Sequence, residues 1–268
     1  MTANIAFTGF PQEGMEFLTE LADNNDRDWF QAHKQEYLDH IIGPAQAFVA
    51  EFGARLQDDV SPGFVADTRT NGSGSIMRIY RDIRFKKDKS PYNTQVRMIF
   101  WEGRGKKTES PGIYFCFDPD GGKIYSGMHI FPKPTLEIFR DAVIDEEMGP
   151  GLEHALAKIV NAGGVGKGGG RIGSSIGGGI GSGTGPNEAA GAYEIGGEQY
   201  KRIPREYDPM HDRAYLLKYK GLWAGAPAIT PTQLQSPKLV DICLDHCVNM
   251  APLHHWLVKL DAIVKDFE

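Results

Sequence analysis

A chain of 268 residues that is 41% hydrophobic and 10% aromatic, with a formal net charge of −6, has the make-up of an ordinary globular protein. The acidic balance argues against a surface built for nucleic acid, where affinity comes from cations that displace counterions; Cys116, Cys243 and Cys247 are too few and too uneven for a disulfide framework and fit a reducing compartment. MTANIAFTGF lacks the basic start and apolar run of a signal peptide, and no window approaches about 18 apolar residues, so an intracellular, cytoplasmic protein with no membrane partner is expected.

In chain order, EGMEFLTELADNN sets Met15, Leu18 and Leu21 at helical spacing and ends on an Asn pair suited to a C-cap. DRDWFQAHKQEYLDHII repeats the pattern with Trp29, His33, Tyr37 and Ile41 on one face and Asp26 as N-cap. Gly43-Pro44 punctuates it, and Phe48, Phe52 and Leu56 carry it to a turn at Ser61-Pro62-Gly63. From residue 76 the period becomes two. In IMRIYRDIRF, Met77, Ile79, Ile83 and Phe85 alternate with Arg78, Tyr80, Asp82 and Arg84, which predicts a half-buried strand with a basic face. TQVRMIFW alternates likewise; IYFCF is apolar on both faces, as a central strand would be; and KIYSGMHIF follows a DPDGG turn.

Helical patterns return in TLEIFRDAVIDE and GLEHALAKIV, and again near AYLLKYK. SPKLVDICLDHC opens on a Ser236 cap with Pro237 at the first helical position, and a last helix is expected from about Pro252 to Asp266. Between these, sixteen of the 36 residues from Ala162 to Gly197 are glycine. Such a segment has too little side-chain area to offset its ordering entropy, so a flexible insertion loop is expected at about 162–192. Gly164, Gly166 and Gly169 satisfy G-x-G-x-x-G, but a helix precedes them where the dinucleotide fingerprint needs a strand. Beside Lys167, Asn161 and Gly168 occupy the places of the first Gly and the Ser or Thr of a phosphate-binding P-loop. The fold that follows is a single α+β domain over 1–268, with N-terminal and C-terminal helices packed on an antiparallel sheet of at least four strands.

Cys243 and Cys247 share a helix face near His246, His254 and His255, yet they continue the apolar stripe of Val240 and Leu244. Core packing explains them better than a metal, and neither a metal nor a cofactor is expected. The charge is less evenly spread. From Arg69 to Lys107 there are eleven Lys or Arg against three Asp or Glu, a local +8 that leaves −14 for the remainder. On a strand, Arg78, Asp82, Arg84 and, from its neighbour, Arg97 would share one face. Guanidinium forks bind phosphate or carboxylate bidentately, and Asp82 can orient an arginine. Arg81 interrupts the apolar face, which signals either a bulge or a carboxylate from a covering helix.

RIYRDIRFKKDKSPY resembles the signature R-x-x-R-D-x-R-F-x-x-x-K-x-P-Y of domain-of-unknown-function family 2461. FLTELADNNDRDWFQAHKQEY, SPGIYFCFDPDGGKIYSGMHIFPKPTLEIFR, YKRIPREYD and LLKYKGLWA are similar to further parts of it. The resemblance implies one domain with one shared site and marks Arg78, Arg81, Asp82, Arg84, Phe85, Lys89, Pro91 and Tyr92; it brings no established activity. His33, in the WF-x-x-HK segment, and Asp82 are the candidate proton-transfer groups. Arg78, Arg81, Asp82, Arg84, Lys89, Tyr92 and Arg97 are the expected ligand-binding set. Its partner would be a small phosphorylated or polycarboxylate compound; the alternatives are an acidic protein face meeting a basic hairpin, and local nucleic-acid contact, which the overall charge disfavours.

Overall fold

The computed structural model describes residues 6–103, 105–163 and 192–266. Helices α1 (Gln12–Asp23), α2 (Arg27–Ala32), α3 (Lys34–Tyr37) and α4 (Gly43–Asp59) come first, with a π-helical turn at Leu38–Ile42 leading into α4. Strands β1 (Phe64–Val65), β2 (Val96–Glu102), β3 (Gly112–Asp118) and β4 (Gly121–Met128) follow. Then come α5 (Lys133–Ile144), α6 (Met148–Ala162), β5 (Glu194–Gly196), β6 (Leu222–Gly225), α7 (Pro231–Leu234) and α8 (Leu239–Asp266). The six described strands form one antiparallel sheet in the order β1-β2-β3-β4-β6-β5, and the class is α+β. The described residues divide into two compact units, one of residues 6–100, 114–124 and 228–245, the other of residues 101–103, 105–113, 125–163, 192–227 and 246–266.

The first unit is built around an aromatic core. Period 3.6 puts Phe48, Val49, Phe52 and Leu56 of α4 on one buried face, and period two puts Met98 and Phe100 of β2 opposite. The rings interlock: Phe52 meets Phe100 edge-on at 4.9 Å, Phe48 lies 5.1 Å from Phe115, and Phe10 4.2 Å from Phe117. Gly53 permits this closeness, since a Cβ there would fall 2.1 Å from that of Ala66. Asp26 caps α2 by accepting the backbone N–H groups of Asp28 and Trp29, as its position before the helix foretells.

In the second unit, α5 and α6 bury Phe139, Val143, Leu152, Leu156 and Ile159. Antiparallel pairing sets Tyr125 opposite Gly225 and Met128 opposite Leu222, with Ile195 of β5 opposite Ala224. Trp256 anchors α6 by donating its indole N–H to the Met148 carbonyl at 2.9 Å. Fully buried His254 bonds through Nε2 to a Glu102 carboxylate oxygen at 2.8 Å. Since a carboxylate only accepts, Nε2 carries the proton.

Three expectations are corrected. Residues 76–85 do not form a strand: only isolated bridges occur there, Ile76 with Met98 and Tyr80 with Tyr92. The Asp82 carboxylate takes the backbone N–H of Arg84 at 3.2 Å, a local bond that competes with ladder pairing, and Phe85 is 95% exposed instead of facing a core. AYLLKYK yields only a 3-10 turn at Leu216–Lys218. The two expected C-terminal helices are one 28-residue helix with Pro252 inside, where the buried stripe continues through Met250, Leu253 and Leu257 and outweighs one missing backbone bond. Most of the expected glycine-rich insertion at about 162–192 lies outside the described residues.

Candidate functional site

The basic segment folds as a closed loop in the first unit. At its entry Met77 donates to the Arg97 carbonyl at 2.9 Å, tying it to β2. Its neck is the Tyr80–Tyr92 bridge, with Arg81 N–H donating to Pro91 at 2.8 Å and Asn93 N–H to Ile79 at 2.7 Å. Asn25 clamps that neck, its side chain accepting from the backbone N–H of Tyr92 at 3.0 Å and donating to its carbonyl at 3.1 Å. Tyr92, 2% exposed, stacks on Phe30 at 4.2 Å. Burial raises its phenol above the ordinary range.

Inside the loop much of the charge is already matched. Asp82 accepts Nε and Nη2 of Arg84 at 2.9 and 2.6 Å, bonds that hold its carboxyl down at about 2. Asp88 accepts the hydroxyl and backbone N–H of Ser90 and Nη1 of Arg81 at 2.6 Å, which places its carboxyl well below the usual range. Arg81 therefore points at a carboxylate of its own loop, and its side chain is 20% exposed against 75% for Arg84. Lys89 donates to the Ile83 carbonyl at 3.0 Å. Arg78 is held differently, with Nε and Nη2 donating to the Asn71 carbonyl at 3.0 and 2.6 Å. Gly72 leaves room for it: at φ 89° any Cβ would sit 2.3 Å from that Nε.

Beside Arg78 opens a groove of about 180 Å³. Lys34 and Tyr37 of α3, with Thr70, Arg78 and Tyr80, supply its polar lining, and Phe30, Ile76 and Ile79 supply apolar wall. Burial, then the neighbouring Tyr80, push the Tyr37 phenol far above its ordinary value, so it stays a hydrogen-bond donor at any physiological pH. No carboxylate pairs with Lys34 or with Arg78 among the described residues. Of the motif's cations, Arg81 and Arg84 are already matched by carboxylates, Lys89 is bonded to a backbone carbonyl, and Arg78 lines the groove.

The other expected residues fall outside the groove. His33 stacks on Trp29 at 4.1 Å and bonds through Nδ1 to that residue's carbonyl at 2.8 Å, closing the end of α2. Arg97 is half-buried on β2, near Cys116, whose thiol burial pushes up to about 12. Cys243 and Cys247 are fully buried, within the apolar stripe of α8. Among the described residues no cluster of His, Cys, Asp and Glu has the makings of a metal site, and no helix is long and apolar enough to cross a membrane. Sequence reasoning did not place Lys34, Tyr37 or Thr70 in the ligand-binding set; the tyrosine stood on the stripe of a helix, but no periodicity says which stripe residue faces an opening.

No curated protein and no solved structure matches this chain. The model of the conserved hypothetical protein family DUF2461 matches residues 13–256, a span that takes in α1 through most of α8 and therefore both the groove and the loop. The chain belongs to the DUF2461 family of conserved hypothetical proteins.

Proposed function

We propose that the groove binds a small phosphorylated or polycarboxylate compound with a flat or apolar part. The observation that carries this reading is that Lys34 and Arg78, cations from two separate segments, line one opening with no carboxylate paired to either among the described residues. Arg78 presents its remaining guanidinium nitrogen to an anion while the Asn71 carbonyl fixes its orientation. Tyr37 donates a hydrogen bond, and Phe30 and Ile79 cover the apolar part. Arg81, Arg84, Asp82 and Asp88 shape the loop and do not hold the ligand.

A thermal-shift screen against nucleotides, sugar phosphates, polyphosphate and dicarboxylates tests this. A ligand at 100 times its Kd adds about 2.7 kcal/mol to stability, a readily seen rise in Tm. The rise should vanish in Arg78→Ala and in Lys34→Ala and persist in Arg84→Ala. A rise that survives both of the first two variants removes the groove from consideration.

A second reading rests on the matched pairs Arg81–Asp88 and Arg84–Asp82, which suit a structural or protein-interaction module whose charges hold a loop in shape. Absence of any anion-induced shift, at low salt as well as high, together with a lowered Tm in Arg81→Ala, favours it.

A further inference from the structure

The outer end of the loop, residues 84–87, is an anomaly in its own right. Phe85 is 95% exposed, more than any other large apolar side chain among the described residues. Its neighbours are Arg84, whose guanidinium lies 5.9 Å from the ring centroid, and exposed Lys86 and Lys87. The loop's carboxylates neutralise this end only in part: Asp88 is taken by Arg81 and Ser90, and Asp82, hydrogen-bonded to Arg84 and within electrostatic reach of Lys86, offsets one positive charge of three. Nor is the ring there because the segment is slack. The Tyr80–Tyr92 bridge, the Asn25 clamp and the Lys86 N–H bond to Ile83 hold the tip out.

We propose that this tip docks on an anionic lipid surface, Phe85 entering the boundary between headgroups and acyl chains while Lys86 and Lys87 meet anionic headgroups. The size and composition of the tip select that partner. One ring and a few cations fall far short of the roughly 800 Å² per partner of a standard protein interface. Single-stranded nucleic acid is held by successive stacked aromatics along a groove, and the tip offers one. A lipid surface needs only a protruding aromatic and positive charge, and supplies its own complementary charge. The absence of a spanning helix among the described residues does not bear on attachment of this kind.

The test is co-sedimentation of the full chain with phosphatidylcholine vesicles, with and without phosphatidylserine, at low and at physiological salt. Binding is expected only with phosphatidylserine and should weaken as salt rises. Phe85→Ala should lower partitioning by about tenfold or more. Lys86→Gln combined with Lys87→Gln should lower it by about thirtyfold. Phe85→Trp should retain binding and shift its emission to the blue on adding vesicles, a signal that unfolding does not mimic. Because these side chains are exposed, all variants should keep the wild-type Tm. The proposal is overturned by failure to sediment with phosphatidylserine at low salt, by unchanged partitioning of Phe85→Ala, or by tip variants that lose an oligonucleotide or an acidic protein while vesicle binding stays the same.

Discussion

The arginine loop of residues 78–93 and the Glu102–His254 contact both pair ionisable groups, yet their surroundings set them to different uses. In the loop, Asp82 and Arg84 meet in water, where an ion pair contributes little to stability and mainly selects one shape among several. His254 is fully buried, so its bond to Glu102 fills a requirement that water cannot meet. Charge in the loop can therefore change at little cost to the fold, whereas charge in the buried contact is committed to it.

The sharpest way to break this comparison is at the loop's base, which is the one part of it that behaves like a core. Tyr92→Ala removes a buried ring stacked on Phe30 and should destabilise the protein by about 3–5 kcal/mol in urea unfolding. A loss close to zero would mean that the neck is not packed as described. The buried contact should show itself through pH. Burial drives the His254 ring below its ordinary 6.5, and the Glu102 carboxylate offsets this only in part. A depressed folded value means that the contribution is whole above the unfolded value and is lost as pH falls through the folded one. Tm should therefore drop as pH falls from about 7 to 5, and His254→Gln, which keeps a donor for Glu102, should flatten that slope. An equal slope in the two proteins would assign the acid sensitivity elsewhere.

Asn25→Ala strands a backbone N–H and a carbonyl of Tyr92 and should cost about 1–3 kcal/mol. Arg84→Ala is expected to leave Tm unchanged, since its pair is exposed on both sides. A marked fall in Tm for that variant would erase the distinction between the two regions.

How far the sequence revealed these regions follows from the range of the forces involved. Helices α1, α5 and α6 and strands β2 to β4 were legible because their apolar periods are long and uninterrupted. Strands β1 and β5, of two and three residues, are too short to show a period at all. Residues 76–85 mimic a strand in their alternation, but Asp82 and Asp88 spend their oxygens on neighbours two residues along, and that local chemistry decides the shape. Pro252 read as a helix start, since proline suits that place, until packing of the surrounding stripe carried the helix through it. Arg78 was recognisable as a candidate from its motif. Its meeting with Lys34 and Tyr37 was not, because residues more than forty positions apart in sequence are brought to one groove only by the tertiary fold.

The Asn25 clamp also orders events in time. It joins residues 67 positions apart, and Phe30, on which Tyr92 stacks, lies on the same early side of the chain. During synthesis the N-terminal part emerges first, so the receiving half of the neck is made before the loop that it grips. A peptide carrying only RIYRDIRFKKDKSPY would have the motif without its mould, and transplanting that stretch onto another scaffold should transfer its charge but not its conformation.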